Sequence, residues 1–249
     1  MTRMDQPVSD TPFAGLGRSY MLSNHNASSP LAMEGYDKAA DKLVCEERTK
    51  TLDWGCGFGH LSRRLVDRGI QTESFDFVPG MDGPCVTTLT LYPGIGVRLT
   101  SDPVKLPYPE CCFDSVVSMG TLEHVESPAA SLVEIYRVLA PGGRLYVFRL
   151  PNRWSYVEHL ARWTGRYYHG ALPHDRVYSL RSAQALLESA GFLVLEMRRR
   201  DILPLTTVGS RLGPRYQTPA RLANDTMSRV PLLSVLSTNL ELVAARPSV

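Results

Sequence analysis

Apolar residues recur along this chain in two alternating rhythms, one suited to half-buried helices and one to buried strands. Leu31, Met33, Tyr36, Ala39 and Leu43 share one helical face. They predict a helix that opens at Ser29-Pro30 and ends in the charged Glu46-Glu47-Arg48. Thr51 to Trp54 then reads as a short strand, followed by a glycine-rich turn and a helix that stops at Gly69. Strands are expected at 72–77, 97–100 and 113–119; the last is nearly all apolar, as strands covered on both faces are. Pro128 opens a helix over 128–139, Pro141-Gly142-Gly143 closes it, and a strand follows at 144–150. A helix over 180–190 is capped by Gly191, and strands at 192–198 and 238–245 complete the pattern. Strand and helix alternate, which predicts an α/β fold: a doubly wound, mostly parallel sheet of seven strands with the last strand antiparallel.

Interruptions of the rhythm mark the segments that stand apart. Residues 1–30, rich in Ser, Asn, Pro and Gly, read as a flexible N-terminal segment, and 31–249 as a single domain. Val78 to Pro84 breaks structure where a fold of this kind places a helix. Within 152–178, Trp154, Tyr156, Leu160 and Trp163 fit one helix and predict a small lid; an aromatic, histidine-bearing loop follows it. Residues 201–231 form an irregular insertion with a helix expected over 219–229.

The chemistry concentrates at Asp53-Trp54-Gly55-Cys56-Gly57-Phe58-Gly59-His60. Three glycines at alternate positions let the backbone turn tightly and approach a ligand, and the helix that follows offers unpaired N–H groups. Asp53, ahead of the first glycine, can hydrogen-bond a positively charged ligand. A generic turn or a dinucleotide site would share most of this, although His60 stands where the third glycine of the dinucleotide fingerprint would be. Asp76, 21 positions after Gly55 at a strand end, can accept both hydroxyls of a ribose in either kind of site.

The string Leu52-Asp53-Trp54-Gly55-Cys56-Gly57-Phe58-Gly59 resembles the first motif of the class I S-adenosylmethionine (SAM) methyltransferases. The likeness extends over roughly residues 50–195 and is greatest to the methyltransferase type 11, ubiquinone-biosynthesis-like group. Asp102 with Leu106-Pro107-Tyr108, Phe113-Asp114, Ser118 to Val125 and Arg137 to Gly143 match further family strings. The resemblance implies a Rossmann-like fold and a SAM cofactor. It implies that Asp53 serves the amino end of SAM, and that Gly55, Cys56, Gly57 and Gly59 lie along its amino-acid and ribose parts. It implies that Asp76 and Phe77 meet the ribose, and that Ser101, Asp102 and Pro103 frame the adenine. Met119 and Gly120 would pass beside the cofactor, with His124 bracing that loop or acting as general base. Asp114 is expected to fix a strand's entry, and the run into Gly143 to be structural.

The acceptor would be held by what differs from the shared core. Tyr20 and His25, the 149–174 loop and the 201–231 insertion are the candidates. Tyr156, Tyr167 and Tyr168 would supply aromatic walls with polar tips, and His169 or His174 a base. Trp154, Tyr156 and Trp163 also fit the core of a cap helix. The expected activity is methyl transfer from SAM to a small molecule, at oxygen before nitrogen or carbon. Quinone or lipid precursors are an alternative acceptor class, and a silent SAM-binding regulator the alternative outside enzymes.

Composition changes this picture little. The 249 residues are 43% hydrophobic and 21% charged with net charge +2, which gives no basic stripe for nucleic acid. No apolar run reaches membrane-spanning length, and Met1 to Asp10 lacks the apolar core of a signal peptide. Five cysteines without paired or C-x-x-C spacing suggest reduced thiols and a cytoplasmic setting. The histidines and carboxylates lack metal-ligand spacing, so no metal is expected.

Overall fold

The computed structural model describes residues 30–78, 83–86, 92–165, 176–203 and 214–248. Helix α1 (Pro30–Cys45) leads into β1 (Lys50–Trp54), α2 (His60–Asp67) and β2 (Gln71–Phe77). Strands β3 (Gly83–Val86), β4 (Val97–Thr100) and β5 (Phe113–Met119) precede α3 (Pro128–Val138) and the long β6 (Leu139–Pro151). The remainder is α4 (Tyr156–Trp163), α5 (Leu180–Ser189), β7 (Leu193–Arg200), α6 (Pro214–Met227), α7 (Pro231–Ser234) and β8 (Asn239–Ala245).

The described strands join one sheet in the order β3-β4-β2-β1-β5-β6-β8-β7. Strands β4, β2, β1, β5 and β6 run parallel, and β8 is antiparallel to both its neighbours. The seven-stranded, doubly wound expectation therefore holds. The short β3, antiparallel to β4, adds an eighth strand at the edge; it begins at Gly83, inside the break expected at Val78 to Pro84.

Strand alternation explains the two layers. Leu52 and Trp54 of β1, Val116 of β5 and Leu145 and Val147 of β6 point to one face, where Leu132, Ile135, Ala183 and Leu187 of α3 and α5 cover them. Val117, Tyr146 and Phe148 point to the other, under Ala39, Ala40 and Leu43 of α1 and Leu61 and Leu65 of α2. Burial of each large side chain contributes about 1.5–3 kcal/mol. Asp53 lies between Leu52 and Trp54, so it is forced onto the α2 face.

Conserving the register needs fixed loops. Asp114 accepts from Thr49 N (2.7 Å), Thr49 Oγ1 (2.6 Å) and Lys50 N (3.0 Å), tying the start of β5 to the start of β1. Burial alone would raise its pKa, but these bonds outweigh it and hold it low. The Pro141-Gly142-Gly143 turn falls inside β6 instead of between helix and strand. Gly142 (φ 77°) donates to Arg246 O, and Arg246 Nη1 caps the end of α3 at Tyr136 O and Leu139 O.

Two other expectations are corrected. Helix α6 begins at Pro214 and not near Pro219, which lies inside its second turn and removes one backbone donor there. Trp154, Tyr156 and Trp163 are not core: they are 51%, 36% and 84% exposed, and the residue that α4 buries is Glu158. Among the described residues, no helix is long and apolar enough to cross a membrane.

Candidate active site

Parallel strands place their carboxyl ends on one edge, and a glycine turn after the central β1 opens a crevice there. The turn is organised by backbone shape. Gly55 (φ 75°), Gly57 (φ 50°) and Gly59 (φ 78°) all adopt the left-handed conformation. A Cβ on Gly55 would lie 2.2 Å from Thr121 Cγ2, so only glycine lets the β1 turn and the β5 loop touch. Among the described residues, a Cβ on Gly57 would meet nothing within 4 Å, so that position faces an open approach.

Hydrogen bonds make the turn one unit. Gly55 N and Cys56 N donate to Phe75 O of β2 (2.9 and 3.0 Å), and Gly57 N donates to Asp76 Oδ2 (2.9 Å). Asp76 Oδ1 accepts from Phe77 N (2.8 Å). Burial raises the Asp76 pKa, offset in part by these two backbone donors. Cys56 is buried, and burial beside Asp53 and Asp76 pushes its thiol well up, which makes it an inert wall and not a nucleophile.

Asp53 is 2% exposed and accepts from Ser62 Oγ of α2 (2.6 Å), which in turn accepts from Ser74 Oγ of β2 (2.7 Å). Burial pushes its carboxyl up to about 7, the Ser62 bond resists, and the charge of Asp76 adds to the rise. Asp102 is exposed after β4, and its Oδ1 accepts from Val104 N and Lys105 N (2.9 and 2.8 Å). Beside it Ser101 is half-buried and Pro103 exposed, as is Phe77 after Asp76. The segment after Asp102 is clamped by α3: Glu134 accepts from Leu106 N, while Arg137 donates to Leu106 O and Tyr108 O. That is what the helix motif expected to be structural accomplishes.

Met119 and Gly120 close the edge at the end of β5, where Gly120 N donates to Phe148 O (3.0 Å). His124 follows on an exposed turn, its Nε2 3.7 Å from the buried Glu123 carboxylate. Tyr156 sits at the start of α4 and does not line the cavity described below. Tyr20, His25, Tyr167, Tyr168, His169 and His174 lie outside the described residues.

The structure adds two features beyond those candidates. His60, first residue of α2, is 6% exposed, and its Nδ1 pairs with Tyr92 Oη at 2.7 Å. Rings of Tyr36, Phe58 and Tyr92 surround it at 5.3–6.3 Å. Burial, then the charges of Arg64 and Arg149, hold its pKa down to about 4, so it is neutral. The second feature is a cavity of about 360 Å³ at the same sheet edge. Met119, Phe148 and Arg149 form its floor, α1 one wall at Gly35 and Ala39, and α6 the opposite wall at Arg221 and Asn224.

Residues 52–147 match the methyltransferase domain family. An uncharacterized methyltransferase of Mycobacterium tuberculosis is 30% identical over 173 residues, which cover 62% of this chain and 86% of that one. The chain belongs to the methyltransferase family. A demethylmenaquinone methyltransferase of Thermus thermophilus is 31% identical over 142 residues, 56% of this chain and 64% of that relative. A ubiquinone biosynthesis O-methyltransferase of Xylella fastidiosa is 35% identical over 108 residues, 43% of this chain and 44% of the other. This methyltransferase thus spans less than two thirds of those two quinone-related enzymes. Its fold is that of a SAM-dependent methyltransferase solved from Thermotoga maritima, with TM-score 0.60, 17% identity and coverage of 94% and 98% of the two chains.

Proposed function

We propose that this methyltransferase uses SAM to methylate an oxygen of a small organic acceptor bound in the cavity beneath α6. SAM is its cofactor, and when bound it supplies an electrophilic methyl group on a sulfonium. The observation that carries the reading is the joining of Gly55, Gly57 and Asp76 to β2 as one hydrogen-bonded turn at the sheet edge, with Asp53 held beside it by Ser62. The open side of Gly57 leaves room for a close approach, so the residues fit the cofactor. In this reading the glycine turn carries the amino-acid and ribose parts. Asp76 receives the ribose hydroxyls, each carboxylate oxygen keeping an acceptor position beyond its backbone bond. Asp102 receives the adenine amino group, on a loop held by Glu134 and Arg137. Asp53 balances the amino end.

Met119 belongs both to this edge and to the cavity floor, which supports placing the acceptor there. The chain's contribution to rate is then positioning and exclusion of water, with α1 and α6 as the walls. The names of the two quinone-related relatives, one an O-methyltransferase, and the apolar floor of Met119 and Phe148 favour a ring-bearing quinone or lipid precursor.

Calorimetry with SAM tests the cofactor assignment, and labelled SAM with an acceptor panel tests transfer. Binding is expected, weakened about tenfold or more in Asp76→Ala. No heat at roughly millimolar ligand, or wild-type affinity in Asp76→Ala, refutes the assignment. Binding without transfer to any acceptor points to a SAM-binding regulator instead. Because Asp53 must ionise to meet an ammonium group, affinity should rise with pH from 6 to 8 and stay level in Asp53→Asn.

A further inference from the structure

We propose that Arg149 anchors an anionic oxygen of the methyl acceptor, so that the substrates of this enzyme are planar organic acids carrying an enolate, phenolate or carboxylate. The inference rests on the methyltransferase reading above. Three separate features of the fold converge on one guanidinium. The first is the backbone: Arg149 has φ 56°, a left-handed conformation that L-residues adopt at a cost. Asp201, another non-glycine residue in that region (φ 62°), lines the same cavity. The second is α1, where Gly35 faces the side chain. A Cβ there would lie 2.6 Å from an Arg149 terminal nitrogen, so the missing side chain is what admits the guanidinium. The third is Tyr36, whose ring lies 4.5 Å from the Arg149 guanidinium carbon and 5.9 Å from that of Arg64. Stacking of this kind fixes the plane of the donor fork before any ligand arrives.

The fork stands where the apolar floor meets the cofactor edge, since Phe148 pairs with Met119 across β5 and β6. Among the described residues, six cationic and four acidic side chains line the cavity. Three of the acids are engaged inside the protein. Glu34 pairs with Lys38 and Arg221 (3.0 and 2.7 Å), and Glu241 with Arg200 (3.1 Å). Asp201 accepts from Asn224 and Asn239 (3.2 and 3.0 Å). By count, the lining carries two more cationic than acidic side chains. The cavity volume suits a ligand of two fused rings.

Calorimetry on the full chain with S-adenosylhomocysteine present tests the proposal with three probes. These are 2-hydroxy-1,4-naphthoquinone, an enolate at neutral pH; 2-naphthoate, a carboxylate; and 2-methoxy-1,4-naphthoquinone, which is neutral. At least one anion should bind about tenfold or more tighter than the neutral probe, and which one separates enolate from carboxylate substrates. Arg149→Met should bring anion and neutral within about twofold, and Arg149→Lys should fall between. Gly35→Ala, which improves the helix and displaces only the guanidinium, should weaken the anion without lowering thermal stability. S-adenosylhomocysteine binding by each variant shows that it has folded. The proposal is overturned if no anion binds, if the neutral probe binds as well, or if Arg149→Met or Gly35→Ala keeps the preference. Failure of the wild type to bind S-adenosylhomocysteine would instead overturn the cofactor reading.

Discussion

Asp53 and His60 make opposite demands on the folded state, and Asp53→Asn separates them. Burial pushes Asp53 up to about 7 from 3.8 and pulls His60 down to about 4 from 6.5. Between 3.8 and 7 the folded chain holds a proton on Asp53 that the unfolded chain has released, so this residue's contribution to stability falls as pH rises. Between 4 and 6.5 the folded chain lacks a proton that the unfolded chain carries on His60, so this contribution rises with pH. Each slope is about 1.4 kcal/mol per pH unit. Across the shared window the two contributions cancel each other. Asparagine keeps the shape of Asp53 and still accepts from Ser62, but does not titrate. The stability of Asp53→Asn minus that of wild type should therefore rise by about 1.4 kcal/mol per unit, to about 4 kcal/mol in all. His60→Gln should show the mirror image, falling by about 3 kcal/mol from pH 4 to 6.5. Urea unfolding of the ligand-free protein, read by tryptophan fluorescence at four pH values, measures both. Differences that stay constant with pH would refute the argument, because they would mean that Asp53 is ionised in its buried place.

The glycine turn predicts a contrast. Gly55→Ala should destabilise by about 2–5 kcal/mol, from left-handed strain plus the clash with Thr121, whereas Gly57→Ala should lower stability by only about 1–2 kcal/mol while weakening SAM binding more strongly; denaturation and calorimetry on both variants check this. Arg137→Met should lose about 2–4 kcal/mol and loosen the Asp102 loop, seen as weakened discrimination between SAM and analogues lacking the adenine amino group. Asn152 is 1% exposed and donates to Val235 O and Ser237 O (2.9 and 2.7 Å). Asn152→Ala leaves those carbonyls unsatisfied, and a loss of about 2–4 kcal/mol in urea unfolding is expected.

Short-range signals carried much of the architecture. The strands at 97–100 and 113–119 fall where they were expected, marked by Val97 and Leu99 in one and by Phe113 and Val116-Val117 in the other. The three left-handed glycines were legible too, because their backbone demand is met by residue type at the position itself. The start of α6 was not legible, since a proline normally announces a helix's first turn and Pro219 lies within one. The exposure of Trp163 was hidden because spacing gives a helix its faces without saying which face is covered. The β3 edge strand carries too few residues for a period to show.

By itself the sequence determined the order of strands and helices, the glycine turn, the acids at the ends of β1, β2 and β4, and the family these identify. Those are properties of stretches a few residues long. Tertiary structure alone decided which distant groups meet. His60 found Tyr92 from a separate loop, Asp53 was turned under α2, and Arg149 was set against Gly35 and Tyr36, more than a hundred positions away in the chain. No local pattern encodes such contacts. They arise when the hydrophobic faces of α1 and the sheet are buried together, and that packing brings α1 onto the end of β6.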